Sequence, residues 1–142
     1  MNSKHPSYEI IDHTADLGIV VKGGNIKELF INAANAMTDL MVKADVREKG
    51  RKRKLIVEGD DLPDLMVRYL SEILYLFNGE HMLVRAIEIG SVSSTRLQSR
   101  LSVMSLNKGN HEILREIKAV TYHQIAVEET AEGWEARVIF DI

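Results

Sequence analysis

Cysteine is absent from the 142 residues, which excludes a disulfide framework, a thiolate zinc site and a cysteine nucleophile. Proline occurs only at Pro6 and Pro63, so little in the chain breaks a helix or a strand. No apolar run approaches the roughly 20 residues that a bilayer span requires. The polar segment Met1–Ser7 lacks the apolar core of a signal peptide. There is no Gly/Ser-rich linker, no low-complexity tract and no repeat of fixed period. A nucleophile elbow, a P-loop and a dinucleotide fingerprint are missing too. Positive charge is not in excess: 18 Lys and Arg face 21 Asp and Glu, a formal net of −3, which disfavours a general electrostatic nucleic-acid binder. Aromatic residues make up 6%, and Tyr122 and Trp134 read as packing aromatics rather than ligand platforms.

What is present is ordinary for a water-soluble domain: 45% apolar and 27% charged residues, at a length typical of one domain. The expectation is a single domain over residues 1–142, cytoplasmic, with residues 1–7 a flexible N-terminus. The spacing predicts two helices. One follows Asn25, with Leu29, Phe30, Ala33, Ala34, Met37, Leu40 and Met41 on one stripe and Asn25 and Glu28 placed as a capping box. The other follows Asp61, with Pro63 in its first turn, an apolar face through Leu65, Tyr69, Ile73 and Phe77, and a stop at Asn78-Gly79. Strands are expected at Tyr8–Ile11, Leu17–Lys22, Lys54–Glu58 and Leu83–Ile89, around Leu97–Val103, along Ile117–Glu128, and from Trp134 to the end. The last is the clearest, since Trp134, Ala136, Val138 and Phe140 alternate with Glu135, Arg137, Ile139 and Asp141. Two helices among mostly hairpin-linked strands imply an α+β, two-layer domain, the helices packed on a mostly antiparallel sheet.

Chemistry has few places to sit. Asp12-His13-Thr14-Ala15-Asp16 holds two carboxylates and an imidazole between two strands; hard cations want such oxygens, although Asp and Thr at a kink more often bond their own backbone. The parity of the last strand turns Asp141 away from the apolar layer, and Ile142 adds a carbonyl and a terminal carboxylate, either a cation clamp or a solvated chain end. Six positive charges fall within Arg47–Lys54; such a run holds phosphates, but is more often a solvated loop or a protected edge strand. Thr121 and His123 share parity with Ile117 and Ile125, which puts polar groups on a buried face unless a bulge shifts the register. A structural role for His123 is the simpler reading.

Several segments together resemble the archease family. They are Tyr8-Glu9-Ile10-Ile11-Asp12-His13-Thr14-Ala15-Asp16-Leu17-Gly18-Ile19, the spacing to Leu29-Phe30 and Ala33-Ala34-Asn35-Ala36-Met37, Gly59-Asp60-Asp61-Leu62, Lys118-Ala119-Val120-Thr121-Tyr122-His123, and Val138-Ile139-Phe140-Asp141-Ile142. The resemblance implies a non-catalytic activator of an RtcB-type RNA ligase. Such a helper promotes the ligase's guanylylation and its repeated turnover, in transfer-RNA splicing or RNA repair. The implied partner is the ligase, with tRNA reached only through it and no membrane or DNA involved. The resemblance also implies a divalent-cation site, commonly described as calcium, on Asp16, Asp141 and the main chain of Ile142, with Asp12 and His13 as supporting residues of the same motif. Two other readings stand beside it. One is a metal-dependent hydrolase of phosphoesters built on Asp12, His13, Asp16 and Asp141. The other is an RNA-binding or chaperone-like module using Arg47–Lys54.

Overall fold

The computed structural model describes residues 8–12, 16–44, 50–106 and 111–142. Its strands are β1 (Tyr8–Asp12), β2 (Asp16–Gly23), β3 (Val42–Ala44), β4 (Arg51–Glu58), β5 (Met82–Val92), β6 (Arg96–Ser105), β7 (His111–Ile113), β8 (Ala119–Val120), β9 (Ala126–Thr130) and β10 (Gly133–Asp141); the helices are α1 (Ile26–Met41) and α2 (Leu62–Glu80).

Both helices begin as their sequences require. Asn25 accepts a 2.9 Å bond from the Glu28 N–H, and the Glu28 carboxylate reaches back to the Gly24 N–H at 3.0 Å. This closes a capping box that satisfies donors the first turn leaves orphaned. Asp61 and Asp64 repeat the device: Asp61 accepts from the Asp64 N–H at 2.9 Å, and Asp64 accepts from the Asp60 N–H at 2.8 Å. The second helix does not stop at Asn78-Gly79. It continues to Glu80, and His81 takes the left-handed position at φ 54° while its N–H bonds the Leu76 carbonyl. Asn78 instead donates to the Ile117 carbonyl at 2.9 Å, tying the helix end to the strand side.

Every strand pairing is antiparallel among the described residues. One sheet runs β1-β2-β10-β8, with β9 also on β10; a second runs β4-β6-β5; β3 and β7 form a short third. The domain is α+β, two helices packed on antiparallel sheets, and each helix touches strands of both larger sheets. The inward residues Leu17, Ile19, Val21, Ala136, Val138 and Phe140 of the first sheet meet Leu97, Leu101 and Val103 of the second in one continuous core with the helices. The stretch Ile117–Glu128 is not one strand. It pairs with β10 as β8 and again as β9, and Tyr122–Gln124 loop out between them, Gln124 at φ 52°. That is the bulge that parity required, and it leaves His123 exposed.

Tyr69 is fully buried against Phe30, ring centroids 5.5 Å apart at 70°. Burial drives its phenol well above the ordinary range, and its hydroxyl has no hydrogen-bond partner among the described residues. A buried unsatisfied hydroxyl costs about 1–3 kcal/mol. Tyr69→Phe is therefore expected to stabilise the protein by about 1 kcal/mol, read as a higher urea midpoint at unchanged slope; a lower midpoint shows that the hydroxyl is bonded.

Candidate functional site

The last two strand registers decide where the carboxylates lie. β10 runs antiparallel to β2 with Phe140 opposite Leu17 and Asp141 opposite Asp16. Directly opposed residues project to the same face, with Cβ atoms about 4.5–5.5 Å apart. Residues 125 positions apart in the chain thus become neighbours at the end of one ladder. Asp16 is half-buried, its Oδ1 enclosed, whereas Asp141 is exposed. The preceding row on the same face is Ile139 opposite Gly18, and Ile139 is fully buried. The outer face of this sheet is therefore not uniformly wet, and the carboxylate pair borders a dry row where like charges repel more strongly.

Asp12 closes β1, in register with Leu17; His13 lies outside the described residues. The Asp141 carbonyl is taken by the Lys118 N–H at 2.7 Å, which fixes the strand end on its far side. Ile142 is 43% exposed, at the accessible rim rather than in the core. Among the described residues no three Asp, Glu or His side chains converge as a closed metal cage. The oxygens that this ladder end offers are two carboxylates and main-chain carbonyls. Such a sparse set could hold a hard cation only if water or a partner's oxygens completed its shell.

A second polar cluster joins the bulge to the start of α2. The Tyr122 hydroxyl donates to Asp64 Oδ1 at 2.6 Å, and Arg68 Nε donates to Asp64 Oδ2 at 2.9 Å. Tyr122 is 56% exposed, so it is not the packing aromatic that its sequence context suggests. Only Asp64 and Arg68, four apart on a helix, were open to detection from sequence. The Tyr122 bond, followed by the Asp60 N–H, holds the Asp64 carboxyl down at about 2, against an ordinary 3.8. The same bond raises the Tyr122 phenol. A depressed carboxylate contributes stability that is full above its unfolded pKa and is lost as pH falls through the folded one. Here that window lies between about 4 and about 2. Tyr122→Phe is expected to raise the Asp64 pKa toward the ordinary value and to move acid unfolding to higher pH, both followed by carboxyl NMR. An unmoved Asp64 titration shows that the phenol is not its main partner.

The described part of the basic run, Arg51–Lys54, forms the start of β4, an edge strand, and all four side chains are exposed. Arg47 and Lys49 lie outside the described residues. Arg53 pairs with Glu80 at 3.0 Å. No helix among the described residues is long and apolar enough to cross a membrane.

The sequence profile of the Archease protein family matches residues 8–142. The archease of Methanosarcina mazei is 33% identical over 148 residues, with 100% of both chains covered. That of Thermoplasma volcanium is 38% identical over 136 residues, covering 96% of this chain and 99% of its own. Among solved structures, Methanobacterium thermoautotrophicum protein 1598 superposes with a TM-score of 0.81 at 28% identity, covering 96% of this chain and 99% of that one. A Thermotoga maritima archease, described as a possible chaperone, superposes with a TM-score of 0.63 at 19% identity over 93% of this chain and 94% of that one, a likeness of fold alone.

Proposed function

The chain belongs to the archease family, and on that premise we propose that it is a non-catalytic activator of an RtcB-type RNA ligase. It promotes guanylylation of the ligase and its repeated turnover in tRNA splicing or RNA repair. The observation that supports this most is the register that sets Asp16 opposite Asp141 at the open end of the β2–β10 ladder. Asp16 and Asp141 hold a divalent cation of the calcium class, with main-chain oxygen from Ile142. Bound there, the cation offsets the repulsion of the two carboxylates and presents positive charge to anionic groups of the partner. Asp12 and His13 belong to the same motif and act as supporting residues of the site.

The fold contributes rigidity. Phe140 and Leu17, the row before the carboxylates on the inner side, are buried in the core and pin both strand ends. Bonds from the Lys118 and Thr121 N–H groups to the Asp141 and Ile139 carbonyls, at 2.7 and 3.0 Å, hold the other side of β10. The carboxylates are thus presented in a fixed arrangement rather than on a mobile tail. A chaperone-like role is less well supported: Ile113 adjoins Leu114 and Ile56 shares one depression with Tyr122, but Ile10 and Tyr75 lie on other elements.

The test is transfer of label from GTP to purified cognate ligase. Wild-type protein is expected to raise the rate and extent of ligase guanylylation, and Asp16→Ala to do neither. Equal guanylylation with and without the protein overturns the proposal.

A further inference from the structure

The basic start of β4 is not used by the site just described, which lies on the other large sheet. Alternation along β4 puts Lys52 and Lys54 on the outer face, two residues and so about 6.7 Å apart. The register with β6 extends the set: Lys54 stands opposite Arg100, and Lys52 opposite Ser102. Lys52 Nζ donates to Ser102 Oγ at 3.2 Å. Lys54 and Arg100 are both exposed and make no salt bridge with the described residues. Like charges placed directly opposite destabilise a sheet; edge protection accounts for Lys54 on β4 but not for Arg100 on the central strand β6. Glu88, facing Arg100 from β5, is the one acid in that row. Beside the pair lies a shallow depression of about 460 Å³, lined by Lys54, Arg100, Gln98, Ser99, Gly90 and Glu88. At Gly90 an added Cβ would meet nothing closer than the Gln98 carbonyl at 3.8 Å, so the floor is open and polar.

We propose that this outer face of the β4-β6-β5 sheet binds the phosphodiester backbone of single-stranded RNA. The choice of RNA among polyanions rests on the ligase reading above; the anion site itself does not. The contact is one of charge and hydrogen bonding. No aromatic residue of the described chain lines the depression, so stacking is not its basis and sequence preference is weak. The net charge of −3 does not oppose it, because screening at about 8 Å makes the local cations decisive. A peptide partner fits less well, since the lining offers little apolar anchor beyond Ile89.

The experiment is fluorescence anisotropy of a labelled single-stranded RNA titrated with the full chain, without ligase, over a range of salt. Contacts from Lys52, Lys54 and Arg100 predict a slope of log K against log salt of about −2. Lys54→Glu is expected to weaken binding at least about tenfold and to flatten the slope by about 0.7 or more. It is also expected to fold at least as well as wild type, because residue 54 then pairs with Arg100. Arg100→Gln weakens binding without reversing charge. Lys27→Glu, on exposed helix surface, changes net charge as Lys54→Glu does and is expected to leave binding unchanged. No binding at low salt, equal loss in Lys27→Glu, or equal competition by polyglutamate of matched charge overturns the proposal. The ligase reading is separable: loss of RNA binding in Lys54→Glu with guanylylation still stimulated supports this face and leaves that reading intact. Absence of RNA binding by wild type with stimulation intact defeats only this proposal.

Discussion

Asp141→Asn is expected to shift thermal stability in opposite directions with and without calcium. In chelator, wild type carries two carboxylates on directly opposed residues beside the buried Ile139 row. Like charges so placed destabilise by up to about 1 kcal/mol. Neutralising one removes that penalty, and the variant is expected to melt at the same temperature as wild type or a few degrees higher. With calcium, a cation that binds only the folded state stabilises by about 2.7 kcal/mol at a hundredfold excess over Kd. For a chain of this size that corresponds to a rise of about 8–10 °C. The variant lacks a charged carboxylate there and is expected to lose at least about half of the rise, as a calcium affinity down at least about tenfold requires. Differential scanning calorimetry of both proteins, in chelator and in calcium, reads all four values. A wild type indifferent to calcium, or a variant that gains as much from it, removes Asp141 from the cation site.

The second large effect concerns the core. Phe30 is fully buried on α1 and meets Tyr69 of α2 edge to face. Both helices reach both larger sheets, so a cavity at this point loosens the contact on which the rest is assembled. Phe30→Ala is expected to cost about 3–5 kcal/mol, from lost transfer energy and the cavity left behind. Urea unfolding monitored by Trp134 fluorescence and by circular dichroism is expected to show a much lower midpoint, with the two probes coincident. A cost below about 1 kcal/mol would mean that the site collapses around the deletion and that the helix pair is not held at this contact.

Both helix starts, the apolar stripes and the final strand were legible in the sequence because each depends on residues within one or two turns of each other. Asn25 and Glu28 fix a cap by themselves, and Trp134 to Phe140 declare a strand by parity alone. The break between β8 and β9 was not legible in the same way. Its left-handed residue is Gln124 rather than glycine, so parity flagged a conflict at Thr121 and His123 without locating its resolution. The end of α2 was missed because His81 takes a position that Gly79 was expected to fill. Tyr122 was misjudged because its partner, Asp64, is 58 residues away and is brought near only by packing of α2 beside β8. The same holds for Arg100 and Lys54: alternation gives each its face, but only the register makes them neighbours. Asp16 and Asp141 are an intermediate case. The family resemblance named them, and pairing of the second and last strands was the condition that the register meets.

The measurement that tests the central claim most directly is RNA ligation with substrate in large excess over cognate ligase, without the protein, with wild type, and with Asp16→Ala. Product without the protein is expected to level off near one equivalent of ligase, and to continue through many turnovers with wild type. Asp16→Ala, shown by circular dichroism to be folded, is expected to return the reaction to the level without the protein. If the Asp16→Ala variant sustains turnover as wild type does, the carboxylate pair does not carry the activity; if wild type adds no turnovers, the chain does not activate this ligase.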